Sequence, residues 1–244
     1  MKGVRDIKVV FVKIVILLFL TILIISTYFL IQDCVEYKTS YNENMKLIED
    51  VIIEEDNENI IEIDWENLEK INSDIVGWIK INNTNINYPI LKDDNDLKYL
   101  KYSFNGKYNS NGSIFTLDNE PFKENKTNIY GHNMKNRLMF SDLDKFMKEE
   151  FFKENTRFDI YTKEQNYKAI IFSYYSIGVN EEENNIKLLN FNEEIDYYKN
   201  ISKYKVEDIG EIKKIVKIST CSYLNNPTTP TNQRYYLIAK LEKV

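Results

Sequence analysis

Histidine and cysteine are nearly absent from these 244 residues: one histidine, His132, and two cysteines, Cys34 and Cys221. Two cysteines this far apart do not make a disulfide framework, which leaves Cys221 as a free thiol that needs an explanation. Any chemistry that requires an imidazole falls to His132. A basic excess is missing too. The formal charge is −6, and the first 13 residues hold four Lys/Arg against one Asp, so the remaining chain carries −9. Without surplus cations to displace counterions from phosphates, no nucleic-acid partner is expected. The sequence has no internal repeat, no low-complexity tract and no acidic cluster of calcium-binding character, so no metal and no other cofactor is expected.

What is present is enough apolar residue, 43%, for one domain of ordinary size plus an appendage. The appendage is Ile14 to Ile31, 18 residues without a charge. As a helix rising about 1.5 Å per residue it covers roughly 27 Å, close to the hydrocarbon core of a bilayer. Lys2, Arg5, Lys8 and Lys13 precede it, while Asp33 and Glu36 follow, which predicts a cytoplasmic N-terminus and an extracellular remainder. A cleaved signal peptide is the alternative, but the run is longer than a usual signal core and no small-x-small site follows. Ile31-Gln32-Asp33 lacks the small residues that would make Cys34 a lipid-anchor site. The resulting division is a basic tail at 1–13, a transmembrane helix at 14–31, a helical stalk at 32–63 and a globular domain at 64–244. The stalk reading rests on Tyr41, Met45, Ile48 and Ile52, an apolar stripe at helical spacing that continues to about Glu55.

Asp64 has the character of an N-cap for a short helix ending near Asn72. Strand-like runs then follow at 76–81, 86–91, 113–117, 128–131, 158–162, 167–177, 215–221 and 235–241, rich in Ile, Tyr and Val and separated by turns such as Asn105-Gly106. Eight such strands predict a mostly β fold, a single closed barrel or sandwich. Helical inserts are expected from Ser141 to about Glu154 and from Asn192 to Tyr204, the second capped by Asn192.

The last two strands carry a chemical arrangement. Alternation along 215–221 puts Val216 and Ile218 on one face and Lys217, Ser219 and Cys221 on the other. In the next strand Leu237, Ala239 and Leu241 share the core face, whereas Arg234 and Tyr236 share the opposite one. A hairpin would hold Cys221 and Arg234 across from each other with Cβ atoms about 5 Å apart. A thiolate that attacks an amide carbonyl builds an oxyanion, which a fixed guanidinium can stabilise, and an imidazole can shuttle the proton of the leaving or entering amine. Each residue alone also has a plain structural reading, a lone strand Cys being most often a small core residue.

Several spaced motifs resemble the sortase family, most closely its class B. Asn128-Ile-Tyr-Gly-His132-Asn-Met is similar to the family's histidine motif, and Lys217-Ile-Ser-Thr-Cys221 to its Thr-Leu-x-Thr-Cys strand. Arg234 heads the following strand, in the family's order of His, Cys and Arg. Asp74-Ile-Val-Gly-Trp-Ile-Lys-Ile, Asn87-Tyr-Pro-Ile, Phe104-Asn-Gly-Lys, Gly112-Ser-Ile-Phe and Met139-Phe-Ser-Asp-Leu extend the likeness over residues 64–244. The helix expected at 192–204 resembles the extra helix of class B. Two departures stand out: Lys217 replaces the Thr that opens the cysteine motif, and the segment Asp94 to Leu100 is one residue longer than the pattern, so Asn95 is given no substrate role.

The resemblance implies a closed eight-stranded sortase-type β-barrel with helical inserts behind a transmembrane helix and helical stalk. It also implies a cysteine transpeptidase with catalytic Cys221, His132 and Arg234. Such an enzyme cleaves the sorting-signal peptide of exported surface proteins, forms a thioester on Cys221 and passes the acyl group to a peptidoglycan precursor amine. It further implies substrate contacts at Ser219 and Leu100 and a groove wall formed by the loop from Ser222 to Asn232. A pilin-polymerising sortase, a hydrolytic Cys/His cell-wall peptidase and a tethered barrel without chemistry are the other readings. The peptidase is disfavoured because such enzymes usually place Cys before His.

Overall fold

A computed structural model of the full chain describes residues 2–55, 61–94, 96–221 and 232–244. The chain divides into two units, Met1–Asn42 and Glu43–Val244. The first is helical, part of α1 (Lys2–Val51), and it holds a stretch long and apolar enough to cross a membrane. From Val10 to Ile31 its large apolar side chains are exposed, apart from the half-buried Val15, as lipid-facing residues would be.

Within the second unit the stalk reading needs correction. The helix ends at Val51, and the described residues that follow it are strands, not helix: β1 (Ile52–Glu55) pairs antiparallel with β2 (Ile61–Ile63). The β-branched residues on both sides favour the ladder, which buries Val51, Ile61 and Ile63 with Leu47, Leu68, Trp78 and Tyr161. The buried side of this last helical stretch therefore runs through Leu47 and Val51, whereas Met45 of the expected stripe is exposed. Asp64 caps α2 (Trp65–Ile71) through its carboxylate, which accepts the Asn67 N–H at 2.9 Å.

The eight expected strands form a closed barrel. They are β3 (Ile75–Lys80), β4 (Asn87–Lys92), β5 (Ile114–Thr116), β6 (Lys126–Tyr130), β7 (Arg157–Tyr161), β8 (Tyr167–Gly178), β9 (Ile215–Cys221) and β10 (Gln233–Lys243). Around the barrel the order is β10-β8-β7-β3-β4-β5-β6-β9, and β9 closes on β10. Two neighbours are parallel, β4 with β5 and β6 with β9. Inward residues such as Ile79, Ile90, Ile129, Ile160, Val216, Ile218, Leu237 and Ala239 fill the interior, in the two-residue phase that alternation requires.

The insert after the histidine is a 3-10 segment, Ser141–Met147, followed by α3 (Glu149–Glu154). The later insert is α5 (Phe191–Ile201), capped by Asn190 and not Asn192: the Asn190 side chain accepts from the Asn192 and Glu193 amides while Glu193 reaches back to the Asn190 N–H. A helix the sequence reading did not assign, α4 (Val179–Ile186), comes between β8 and α5. With α5 it covers the outer face of β8, β9 and β10, where Phe172, Tyr175, Ile195, Tyr198, Tyr236 and Ile238 form a second apolar cluster. The loop from Ser222 to Asn232 falls, apart from Asn232, outside the described residues, as does Asn95.

Candidate active site

Three strands make a floor. Antiparallel pairing of β9 with β10 sets Cys221 directly opposite Arg234 and Ser219 opposite Tyr236. Parallel pairing of β6 with β9 ends at Tyr130 opposite Ser219, so the register continued by two residues brings His132 alongside Cys221. Because alternate residues share a face, Asn128 and Tyr130, Lys217, Ser219 and Cys221, and Arg234 and Tyr236 all line one groove of about 550 Å³. Leu97 and Leu100 from the β4–β5 connection form one wall, and Val179, Glu182 and Ile186 of α4 form another. Ser219 thus lies on the floor and Leu100 in a wall.

The histidine segment is stitched to the cysteine strand. Thr220 Oγ1 donates to the Gly131 carbonyl at 2.8 Å, and Asn133 Nδ2 donates to the Cys221 carbonyl at 2.7 Å. Gly131 has no room for a side chain: a Cβ there would stand 2.4 Å from Ile114 Cδ1 and 2.7 Å from Phe140 Cδ2. The Phe140 N–H returns to the His132 carbonyl at 2.9 Å, and the Ser141 hydroxyl accepts the Met134 N–H at 2.7 Å. His132 Nε2 lies 2.8 Å from the Leu100 carbonyl oxygen. Since a carbonyl only accepts, Nε2 carries the hydrogen, and Nδ1 is the ring nitrogen left to take or give a proton. One Arg234 guanidinium nitrogen donates to the Gln233 carbonyl at 3.0 Å, which holds the head of the side chain near its own strand.

Away from Cys221 the groove floor is ionic. Lys217 Nζ pairs with Glu182 Oε1, and the Tyr175 hydroxyl donates to the same oxygen at 2.9 Å. Burial pushes the Lys217 ammonium down from its ordinary range, an effect that Glu182 opposes. Beside this pair Lys126 bonds both oxygens of Glu194 at 2.7 and 2.8 Å. Burial raises the Tyr130 phenol to about 12, which keeps it a neutral donor on the floor.

The sequence reading singled out Cys221, His132, Arg234, Ser219 and Leu100, and all five line this groove. It missed the groove role of Tyr130 and Glu182 and the bond from Asn133 to the Cys221 carbonyl. The run Glu181-Glu182-Glu183 after Gly178 was the available signal for α4, because acidic residues favour a helix's first turn. Among the described residues no cluster of three His, Cys, Asp or Glu is placed to hold a metal. The chemistry open to the groove is that of a thiol, an imidazole and a guanidinium.

Comparison with known proteins agrees with this geometry. Residues 79–242 match the family model for the sortase domain. Sortase B of Staphylococcus aureus (strain NCTC 8325 / PS 47) is 29% identical over 241 residues, 96% of this chain and 98% of that one. Sortase B from B. anthracis superposes with a TM-score of 0.69 at 26% identity, over 86% of this chain and 99% of that one. A substrate complex of the Staphylococcus aureus sortase B gives 0.64 at 29% identity, over 74% and 85%. A closed mixed barrel, a groove floored by a cysteine strand and these matches together establish that the chain belongs to the sortase family of cysteine transpeptidases, in its class B.

Proposed function

We propose that Cys221 is the nucleophile, His132 the acid and base, and Arg234 the oxyanion-binding cation of a transpeptidation that joins exported proteins to the cell wall. The groove takes the sorting-signal peptide of a surface protein. With the proton on His132, Cys221 Sγ attacks the carbonyl carbon before the scissile bond, and the charge that develops on the oxygen lies beside the Arg234 guanidinium. His132 Nδ1 then gives its proton to the leaving nitrogen as the C–N bond breaks, and the acyl group stays as a thioester. A peptidoglycan precursor amine attacks that thioester, its proton passes to His132, and the C–S bond breaks to release Cys221. Ser219 and Leu100, which line the groove, contact the peptide.

The observation that carries this reading is the direct register pairing of Cys221 with Arg234 on a groove floor that His132 adjoins. The basic tail at 1–13 faces the cytoplasm, 14–31 crosses the membrane and the barrel works outside, in keeping with the Lys/Arg bias. The test is a panel of sorting-signal peptides incubated with and without candidate amines and read by mass spectrometry. The parent forms an amide with the accepting amine, and Cys221→Ala gives neither thioester nor product. Cleavage that persists in Cys221→Ala would sink the mechanism, and hydrolysis alone with every amine would mark a peptidase.

A further inference from the structure

α4 is an eight-residue helix whose only buried side chain is a carboxylate, Glu182, 3% exposed. A surface helix is ordinarily held down by an apolar stripe. Here Val179 and Ile186 are only partly buried, and Gly178 supplies no side-chain cap. Glu182 is instead bonded from below by Lys217, itself 7% exposed, and by Tyr175. Tyr175 is stacked on Tyr236 with ring centroids 5.0 Å apart, and the Lys217 ammonium lies 4.9 Å from the Tyr236 ring centre. Lys217 belongs to the strand that ends in Cys221, four residues earlier on the same face, which is about 13 Å along the floor. An extended peptide laid along this floor with its reacting carbonyl at Cys221 needs about four residues to reach this pair.

Resting on the transpeptidase reading, we propose that the Lys217–Glu182 pair is a positioning clamp. It fixes α4 as the groove wall over the upstream part of the sorting signal, so peptide affinity depends on it while the thiol chemistry does not. A buried ion pair suits this role, because breaking it leaves an uncompensated buried charge, whereas its geometry restricts how the two elements can sit.

The test uses the full chain in a Cys221→Ala background, where binding is read without turnover. Its probe is the most efficiently cleaved member of a fluorescein-labelled library of sorting-signal peptides. Glu182→Gln and Lys217→Met each lower the melting temperature and weaken binding by about tenfold, a change worth 1.4 kcal/mol. The double variant Lys217→Met/Glu182→Gln carries no lone charge. Its melting temperature returns to near the parent, yet binding stays about tenfold weak and amide exchange over 179–186 stays fast. With Cys221 restored, the double variant shows this loss in KM and an almost unchanged kcat.

Parent-like affinity in the double variant, or unchanged exchange in α4, overturns the clamp. Weak binding from Lys217→Met beside silence from Glu182→Gln overturns it in favour of a direct peptide contact by Lys217. If instead Cys221→Ala still cleaves peptides, the catalytic reading fails while the melting and amide-exchange comparisons of α4 still test the clamp.

Discussion

A guanidinium and a thiol at one register position, with an imidazole whose Nε2 hydrogen is committed to the Leu100 carbonyl, leave each group one direction in which to act. The residue just after β4 works against stability. Asp93 is 1% exposed; its Oδ2 accepts the Tyr99 N–H at 3.1 Å, and its Oδ1 has no hydrogen-bond partner among the described residues. Burial, and then the neighbouring Asp96 carboxylate, hold the Asp93 carboxyl above the usual carboxylate range. A raised folded-state pKa contributes stability below the unfolded value, near 4, and loses it as pH rises through the folded value. Asp93→Asn keeps an acceptor for Tyr99 and adds a donor toward Asp96. Its advantage over the parent should be nil near pH 3 and grow to about 1 kcal/mol, or roughly 2–4 °C in melting temperature, at pH 7. Thermal unfolding at the two pH values checks this, and a variant less stable at pH 7 would contradict it.

At the scale of elements, the turn from β6 into the histidine segment is set by contact between backbone and core. Gly131→Ala would force a methyl into Ile114 and Phe140, an overpacking that costs about 1–3 kcal/mol and displaces His132. Peptide cleavage should fall more than peptide binding, measured as kcat against Kd in the Cys221→Ala background; equal losses would point to general unfolding. The eight strands and the facing of Cys221 and Arg234 were legible because alternation is a local signal, read from Val216, Ile218, Leu237 and Ala239. What was not legible depends on partners distant in sequence. The parallel β6–β9 pairing joins segments some ninety residues apart, so His132 could be named only as the sole histidine and by its resemblance. α4 lacks an apolar period because its buried contact is a carboxylate, and the end of the expected helical stalk becomes the β1–β2 pair only because Val51, Ile61 and Ile63 find Trp78.

For the whole molecule, the apolar stretch of α1 and the free, exposed Cys34 just beyond it offer a direct test of orientation. In intact cells that express the Cys221→Ala chain, Cys34 is the one remaining thiol. A membrane-impermeant maleimide should label it without permeabilisation; labelling only after permeabilisation would reverse the topology. Barrel closure has a further consequence in time. The histidine segment is made long before the cysteine strand, and β6 lacks its β9 neighbour and β8 its β10 neighbour until those two strands follow. A partly synthesised chain therefore has an imidazole without Cys221 and an open barrel without a groove. Synthesis order itself keeps the nascent enzyme silent until its last strand docks.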